Sequence, residues 1–251
     1  DFFKSTLSVG GVNNIDRFSN RDYFVSSDTL DEVRVSGLRT ELNFSSSTLD
    51  RKQYASSGRA YSFSIQYFKV KERYTPGNTS VETDQIVANH QWFRLKASAE
   101  QYFNAGWYRP GFLTEVVISN QPFFRNYYGT IINAPAFSPL QDSRTLLLEN
   151  FRAFNYVAGG VRNVFTLKNK IQFRLDGYLF KPFEYLQQGA NQEVREIQDL
   201  RAIYFAGTAG FVMHSPIGPV SLSVNYHEDK QNQFGVLLHV GFLLYNKHSI
   251  E

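Results

Sequence analysis

Five histidines and no cysteine limit the chemistry that this chain of 251 residues could carry. His214 stands beside Ser215, but neighbours on a strand point to opposite faces, so the pair cannot act as a dyad within one strand. His239 falls on the polar face of the last strand, with Ser223 in the preceding one. A lumen histidine hydrogen-bonded to its neighbours is the simpler reading of His239. His227-Glu228-Asp229 is a trio of metal-ligand types, yet it sits in a turn, where a solvated hairpin tip outweighs a metal site. Without cysteine there is no thiolate metal site, no Cys nucleophile and no disulfide framework. The Gly-x-Ser-x-Gly elbow that a serine lipase needs does not occur. We therefore expect no catalytic residue, no metal and no cofactor in this segment.

The stretch with the best claim to a role is irregular. From Gln121 to Asn150 the periodicity stops for about thirty residues rich in aromatics and proline, and a structureless loop this long is usually functional. Arg144, Glu149 and Arg152 flank its end. Folded into a barrel lumen, such a loop needs a charged anchor, and an arginine fork pairs bidentately with carboxylates. Glu41, Glu100 and Asp176 lie on polar strand faces and are the candidate wall partners. The competing reading is three solvated charges in an outer loop.

The elements that would position these groups are strands. The segment Gln233–Tyr245 places Phe234, Val236, Leu238, Val240, Phe242 and Leu244 on one face, and small or polar residues such as Gly235, His239 and Gly241 on the other. Its hairpin partner sets Val220, Leu222, Val224 and Tyr226 against Ser221, Ser223 and Asn225. The same alternation runs through Thr6–Asn14, Val33–Phe44, Arg59–Val70, Gln85–Asn104, Phe112–Ser119, Tyr156–Leu167, Ile171–Phe180 and Ala202–His214. A turn is expected at Gly106–Gly111, where Gly and Pro cluster. In a soluble sandwich the apolar faces would meet in a core; in a transmembrane barrel they would face lipid and the polar faces a lumen. Many of these strands reach ten residues, whereas soluble strands average five to six and membrane-spanning ones need roughly nine to eleven. Short turns (Lys168-Asn169, Ser215–Gly218) alternate with longer polar loops, the asymmetry of outer-membrane barrels.

Composition permits this. Mean hydropathy is −0.34, but half of every barrel strand faces a polar interior, so bulk hydropathy decides nothing. With 23 Phe and 15 Tyr the chain is rich in residues that favour strands and form interfacial belts. No apolar run is long enough for a transmembrane helix. A net charge of +3, with Lys and Arg scattered, leaves no nucleic-acid footprint.

Gly207-Thr208-Ala209-Gly210-Phe211, then Ser215-Pro216-Ile217-Gly218-Pro219 and an apolar-alternating strand, resembles the closing signature of the bacterial surface-antigen barrels. That superfamily includes outer-membrane assembly factors and two-partner secretion transporters. Gln53-Tyr54-Ala55-Ser56-Ser57-Gly58-Arg59 is similar to its strand-opening turn, with Ala55 in place of proline. Pro135-Ala136-Phe137, Ser138-Pro139, Arg144-Thr145-Leu146, Phe151-Arg152-Ala153 and Tyr156-Val157-Ala158-Gly159-Gly160 resemble the branch fused to patatin-like phospholipases in Bacteroidetes-type bacteria. The lumenal Arg-Gly-Phe/Tyr motif is missing; Arg125-Asn126-Tyr127-Tyr128-Gly129 is a loose analogue, which adds Arg125 to the loop-anchor candidates. Six residues also follow Tyr245, where the superfamily ends on an aromatic insertion signal.

The resemblance implies an all-β antiparallel transmembrane β-barrel in a Gram-negative outer membrane. Residues 1–251 would be one barrel domain, the C-terminal ten or so strands of a sixteen-stranded barrel, or else a small closed barrel of ten to twelve. The start at Asp1, without a leader pattern, fits a portion of a longer protein. The implied function is to anchor, or pass lipid or polypeptide for, a fused periplasmic patatin-like phospholipase. The alternative is a stand-alone insertion or translocation pore, or a small porin-like channel. Implied partners are outer-membrane lipid, translocated polypeptide or lipid cargo, and a homodimer mate.

Overall fold

A computed structural model describes residues 3–20, 25–104, 106–168, 170–199, 201–216, 218–231 and 233–242. Its strands are β1 (Lys4–Phe18), β2 (Asp31–Ser47), β3 (Gly58–Thr75), β4 (Ile86–Tyr102), β5 (Tyr108–Ser119), β6 (Tyr156–Lys168) and β7 (Ile171–Pro182). A separate hairpin of β8 (Tyr185–Gln188) and β9 (Val194–Ile197) follows, then β10 (Tyr204–Ser215), β11 (Gly218–His227) and β12 (Phe234–Val240). All but β8 and β9 form a single ten-stranded antiparallel sheet in chain order. The fold is all-β, as the alternation predicts. β8–β9 lies in a stretch that reads as a polar loop, because four-residue strands carry too little pattern to register. The turn expected at Gly106–Gly111 is displaced: Tyr108–Gly111 already belong to β5. Pro110 is tolerated there because β4 pairing starts only at Gly111, so no donor is needed on that side. Asn169, Ile217 and Leu244 lie outside the described residues.

The sheet is curled. The hydroxyl of Tyr54, in the β2–β3 connection, lies 2.7 Å from Ser221 Oγ on β11. In a flat sheet β3 and β11, six steps apart in strand order, would be separated by roughly 29 Å. Among the described residues no pairing joins β1 to β12, which form the two margins. The connections β1–β2, β3–β4, β5–β6, β7–β10 and β11–β12 all emerge at one end, called here the loop end. The others emerge at the turn end.

Strand periodicity sorts the two faces. Outside are Leu38, Phe63, Phe93, Leu95, Ile118, Val161, Leu175, Leu179, Phe211, Leu222 and Val224, all exposed. Phe234, Val236, Leu238, Val240 and Phe242 are exposed too, Val236 by 74%. Inside, Ser64, Gln66, Arg94, Gln172, Arg174, Ser221, Asn225 and His239 are buried. This is the inverse of a water-soluble sandwich, whose apolar faces pair in the core. The interior changes character along its length. Toward the loop end the inward residues turn apolar: Val33, Val35, Phe68, Val70 and Trp92 on one side, and Val117, Tyr156, Tyr178 and Phe180 on the other.

Candidate functional site

The interior is filled from the loop end by the β5–β6 connection, residues 120–155. It is ordered, contrary to the expectation of a structureless loop. It contains a helix, α1 (Tyr127–Asn133), and single 3₁₀ turns at Asp142–Arg144 and Glu149–Phe151. Asn126 starts α1 by accepting the Gly129 amide at 2.7 Å, the usual work of an asparagine N-cap. Seven residues of helix, about two turns, have too few repeats to show as periodicity, which is why the sequence conceals it. Phe137, Leu140, Leu148 and Phe151 pack against β5, β6, β7 and β10, while Phe124 joins the cluster on β1 to β4. The segment therefore spans the curl. Its Asn133 amide reaches Asp16 on β1 (3.4 Å), and its Asp142 accepts from Asn225 on β11 (2.7 Å).

Three of the four loop-anchor candidates, Arg152, Arg125 and Glu149, bond partners that the sequence did not nominate. Arg152 Nη1 donates to the carbonyls of Ile131, Ile132 and Ala134 at 2.7–3.2 Å, tying the C-terminal end of α1 to the strand entry. A cation there satisfies orphan carbonyls and meets the negative end of the helix. Arg125 pairs with Glu82 in the β3–β4 connection, and its amide donates to Glu72 on β3. Glu149 accepts from Lys230 at 3.0 Å and from the Tyr127 hydroxyl at 2.7 Å. Burial, and then the Glu149 carboxylate, push the Tyr127 phenol well above its usual range. Arg144 lines the internal chamber described below.

The wall carboxylates are instead neutralised by wall cations. Glu41 pairs with Arg39 at 2.9 Å and accepts from Gln66. Glu100 pairs with Arg162, and Asp176 lies 4.0 Å from Arg174. Arg94, on the wall and not in the loop, is what ties the plug to β4. Arg94 Nη2 donates to Gln121 at the root of the plug, and Gln121 passes the contact on to the Asn133 carbonyl. The signal was available: an arginine on the polar face of a strand whose other face is apolar.

A second closure comes from the turn end. The β2–β3 connection folds inward: Tyr54 adopts φ 55°, a left-handed conformation costing roughly 1–2 kcal/mol for a non-glycine residue. Arg174 Nη1 donates to the Ala55 carbonyl at 3.0 Å, and its guanidinium lies 5.8 Å from the Tyr54 ring centroid. Asp50 organises the turn by accepting the amides of Ser56 and Ser57. Partial burial raises its pKa, but those amides and Arg51 outweigh it, and the net result is lowered. Between the two closures lies a chamber of about 160 Å³, bounded by Tyr54, Arg144, Arg162, Arg174 and Asn225 among others.

Among the described residues the histidines do not converge on a shared site. His239 faces Ser221 in register, not Ser223. Neither of its ring nitrogens has a hydrogen-bond partner among the described residues, which corrects the expectation of a bonded lumen histidine. Ser221 instead engages Tyr54. His227 is not at a solvated tip: it is 1% exposed, packed edge-on to Phe151, with Asp142 Oδ1 3.6 Å away. Asp229 is also buried, which raises its pKa even though the Asn150 amide bonds it. Glu228 turns back to the Phe205 amide, so the trio diverges. Among the described residues no group of three or more metal-ligand side chains converges. What the interior can do is hold a plug by hydrogen bonds and ion pairs.

Compared with protein-family models and with curated proteins, the chain matches none.

Proposed function

We propose that this chain is the membrane-embedded barrel wall of an outer-membrane protein of the surface-antigen type, closed by its own β5–β6 segment. It would serve chiefly to anchor a phospholipase of patatin type in the periplasm. One observation carries the membrane reading: exposed apolar side chains cover the outside of the curl while arginines, carboxylates and amides are buried inside. Val157, Val161 and Leu167 are exposed along β6, a run of roughly 33 Å that a barrel tilt of about 40° reduces to the ~25 Å height of an apolar belt. Aromatic pairs Trp107–Phe165 and Tyr108–Phe165 stand at the turn end of that belt, where interfacial rings belong. The anchoring role is supported by the two closures of the interior, from the loop end and from the turn end, and by the resemblance of the β5–β6 segment to the branch fused to patatin-like phospholipases.

A second reading, passage of polypeptide or lipid cargo, is favoured by the margins. Leu7 and Val9 on β1 are exposed, and β12 has seven paired residues against 15 in β1. The discriminating experiment is outer-membrane fractionation of the intact gene product, with phospholipase and single-channel conductance measurements. Membrane residence with lipase activity and no conductance supports the anchor. Conductance steps without lipase activity would overturn it in favour of passage, and recovery in the soluble fraction would overturn both.

A further inference from the structure

On β3 the outward residues run Phe63, Ile65, Tyr67 and then Lys69, Lys71, Arg73 toward the loop end. The neighbouring strands switch at the same level. On β2 exposed Leu38 is followed by Ser36 and Arg34, and on β4 exposed Phe93 is followed by Gln91 and Asn89, with Val87 at the strand's start opposite Arg73. Tyr67 and Phe93 are cross-strand partners with ring centroids 4.8 Å apart, on the boundary. Aromatic rings mark the depth at which hydrocarbon gives way to headgroups. The basic side chains therefore stand at headgroup level.

The cluster is poorly neutralised by protein. Arg34 lies directly opposite Arg73, and like charges so placed destabilise a sheet. Glu32 is the acid beside them, and it is 2.8 Å from Arg17 and 3.9 Å from Arg34. Lys69, Lys71 and Arg73 are exposed and make no ion pair among the described residues. β3 spaces its three cations about 7 Å apart along one row, a comb that several separate anions can fill. Among the described residues the β5–β12 side carries no such comb at this level: Lys181 is the one cation there, opposite Val157, with exposed Leu179 and Phe205 beside it.

We propose that this face binds the phosphates of anionic lipid headgroups in the leaflet at the loop end. The proposal rests on the membrane reading and adds which leaflet component the wall selects. The test uses the full chain reconstituted into vesicles of phosphatidylcholine, with and without phosphatidylglycerol. Lipid retained after gentle detergent extraction is counted by native mass spectrometry. Wild type retains phosphatidylglycerol over phosphatidylcholine. In the triple variant Lys69→Gln/Lys71→Gln/Arg73→Gln that preference falls on the order of a hundredfold, whereas Arg195→Gln on β9 leaves it unchanged. Equal retention by wild type and the triple variant overturns the proposal, as does capture of inorganic phosphate without preference for the lipid. If the chain inserts into both vesicles without headgroup preference, the lipid site falls and the membrane reading stands. If it inserts into neither, both fall.

Discussion

Val161→Arg separates a lipid-facing wall from a water-facing one. Val161 is 59% exposed on the outward face of β6, opposite Phe112 on β5 and Gly177 on β7. Were that face in water, an exposed substitution would change stability by about 0.5 kcal/mol or less. In a bilayer, an arginine near mid-depth costs about 2–4 kcal/mol, which lowers the folded fraction roughly 30- to 900-fold. Escape by snorkelling is poor, because Val161 lies roughly 13 Å along the strand from Val157 and further from Leu167. Gly177 offers no side chain to lean on. The assay is urea unfolding in phosphatidylcholine vesicles, followed by tryptophan fluorescence. Trp92 is buried under Phe124 and Trp107 is exposed, so the two report different regions. Val161→Leu is the control and should stay close to wild type. A loss within 0.5 kcal/mol for Val161→Arg, or a folded wild-type chain in plain buffer without detergent, would refute the reasoning.

Three further outcomes are expected. Glu100→Gln removes the carboxylate facing Arg162, whose side chain is 15% exposed and which keeps the Tyr178 and Tyr102 hydroxyls, so it should cost about 1.5–3 kcal/mol in chemical denaturation, while Glu100→Leu/Arg162→Leu together should be nearly neutral. Gly58→Ala meets two obstacles: a φ of +92° and a Cβ that would sit 2.2 Å from the Thr48 carbonyl oxygen. It should destabilise by more than about 1 kcal/mol and speed proteolysis of the β2–β3 turn. Asp50 has a lowered pKa in the folded chain, so its contribution is complete above the unfolded value near 3.9 and is lost as pH falls through the folded value. Amide exchange at Ser56 and Ser57 should therefore accelerate below about pH 4, and Asp50→Asn should abolish that acceleration.

The wall was legible in the sequence because a two-residue period is repeated over strands of ten residues and more. Leu222 against Ser221, or Phe63 against Ser64, announces its face without any tertiary knowledge. The plug was legible as an interruption but not as a structure. Its order comes from Asn126 capping seven residues of helix and from Arg152 gathering three carbonyls, and neither leaves a periodic trace. The charge pairing was misassigned for a related reason. Arg162 and Glu100 lie 62 residues apart in sequence, and only the closure of β4 and β6 around β5 brings them together. Tyr54 was legible as part of a turn but not as a contact with the interior, since its inward course depends on Ser221 and Arg174 from the far side of the curl.

The plug has a bearing on how the curvature arises. Wall pairings join consecutive strands of the main sheet, so the wall can grow by successive local hairpins at low contact order, the kinetically easy route. Such growth fixes neighbours but does not fix a radius. The radius is set where one segment touches both margins' neighbourhoods, Asn133 against Asp16 on β1 and Asp142 against Asn225 on β11. Residues 120–155 thus act as a mandrel around which an open ribbon is wound. Shortening that segment should change the girth of the wall before it changes any strand.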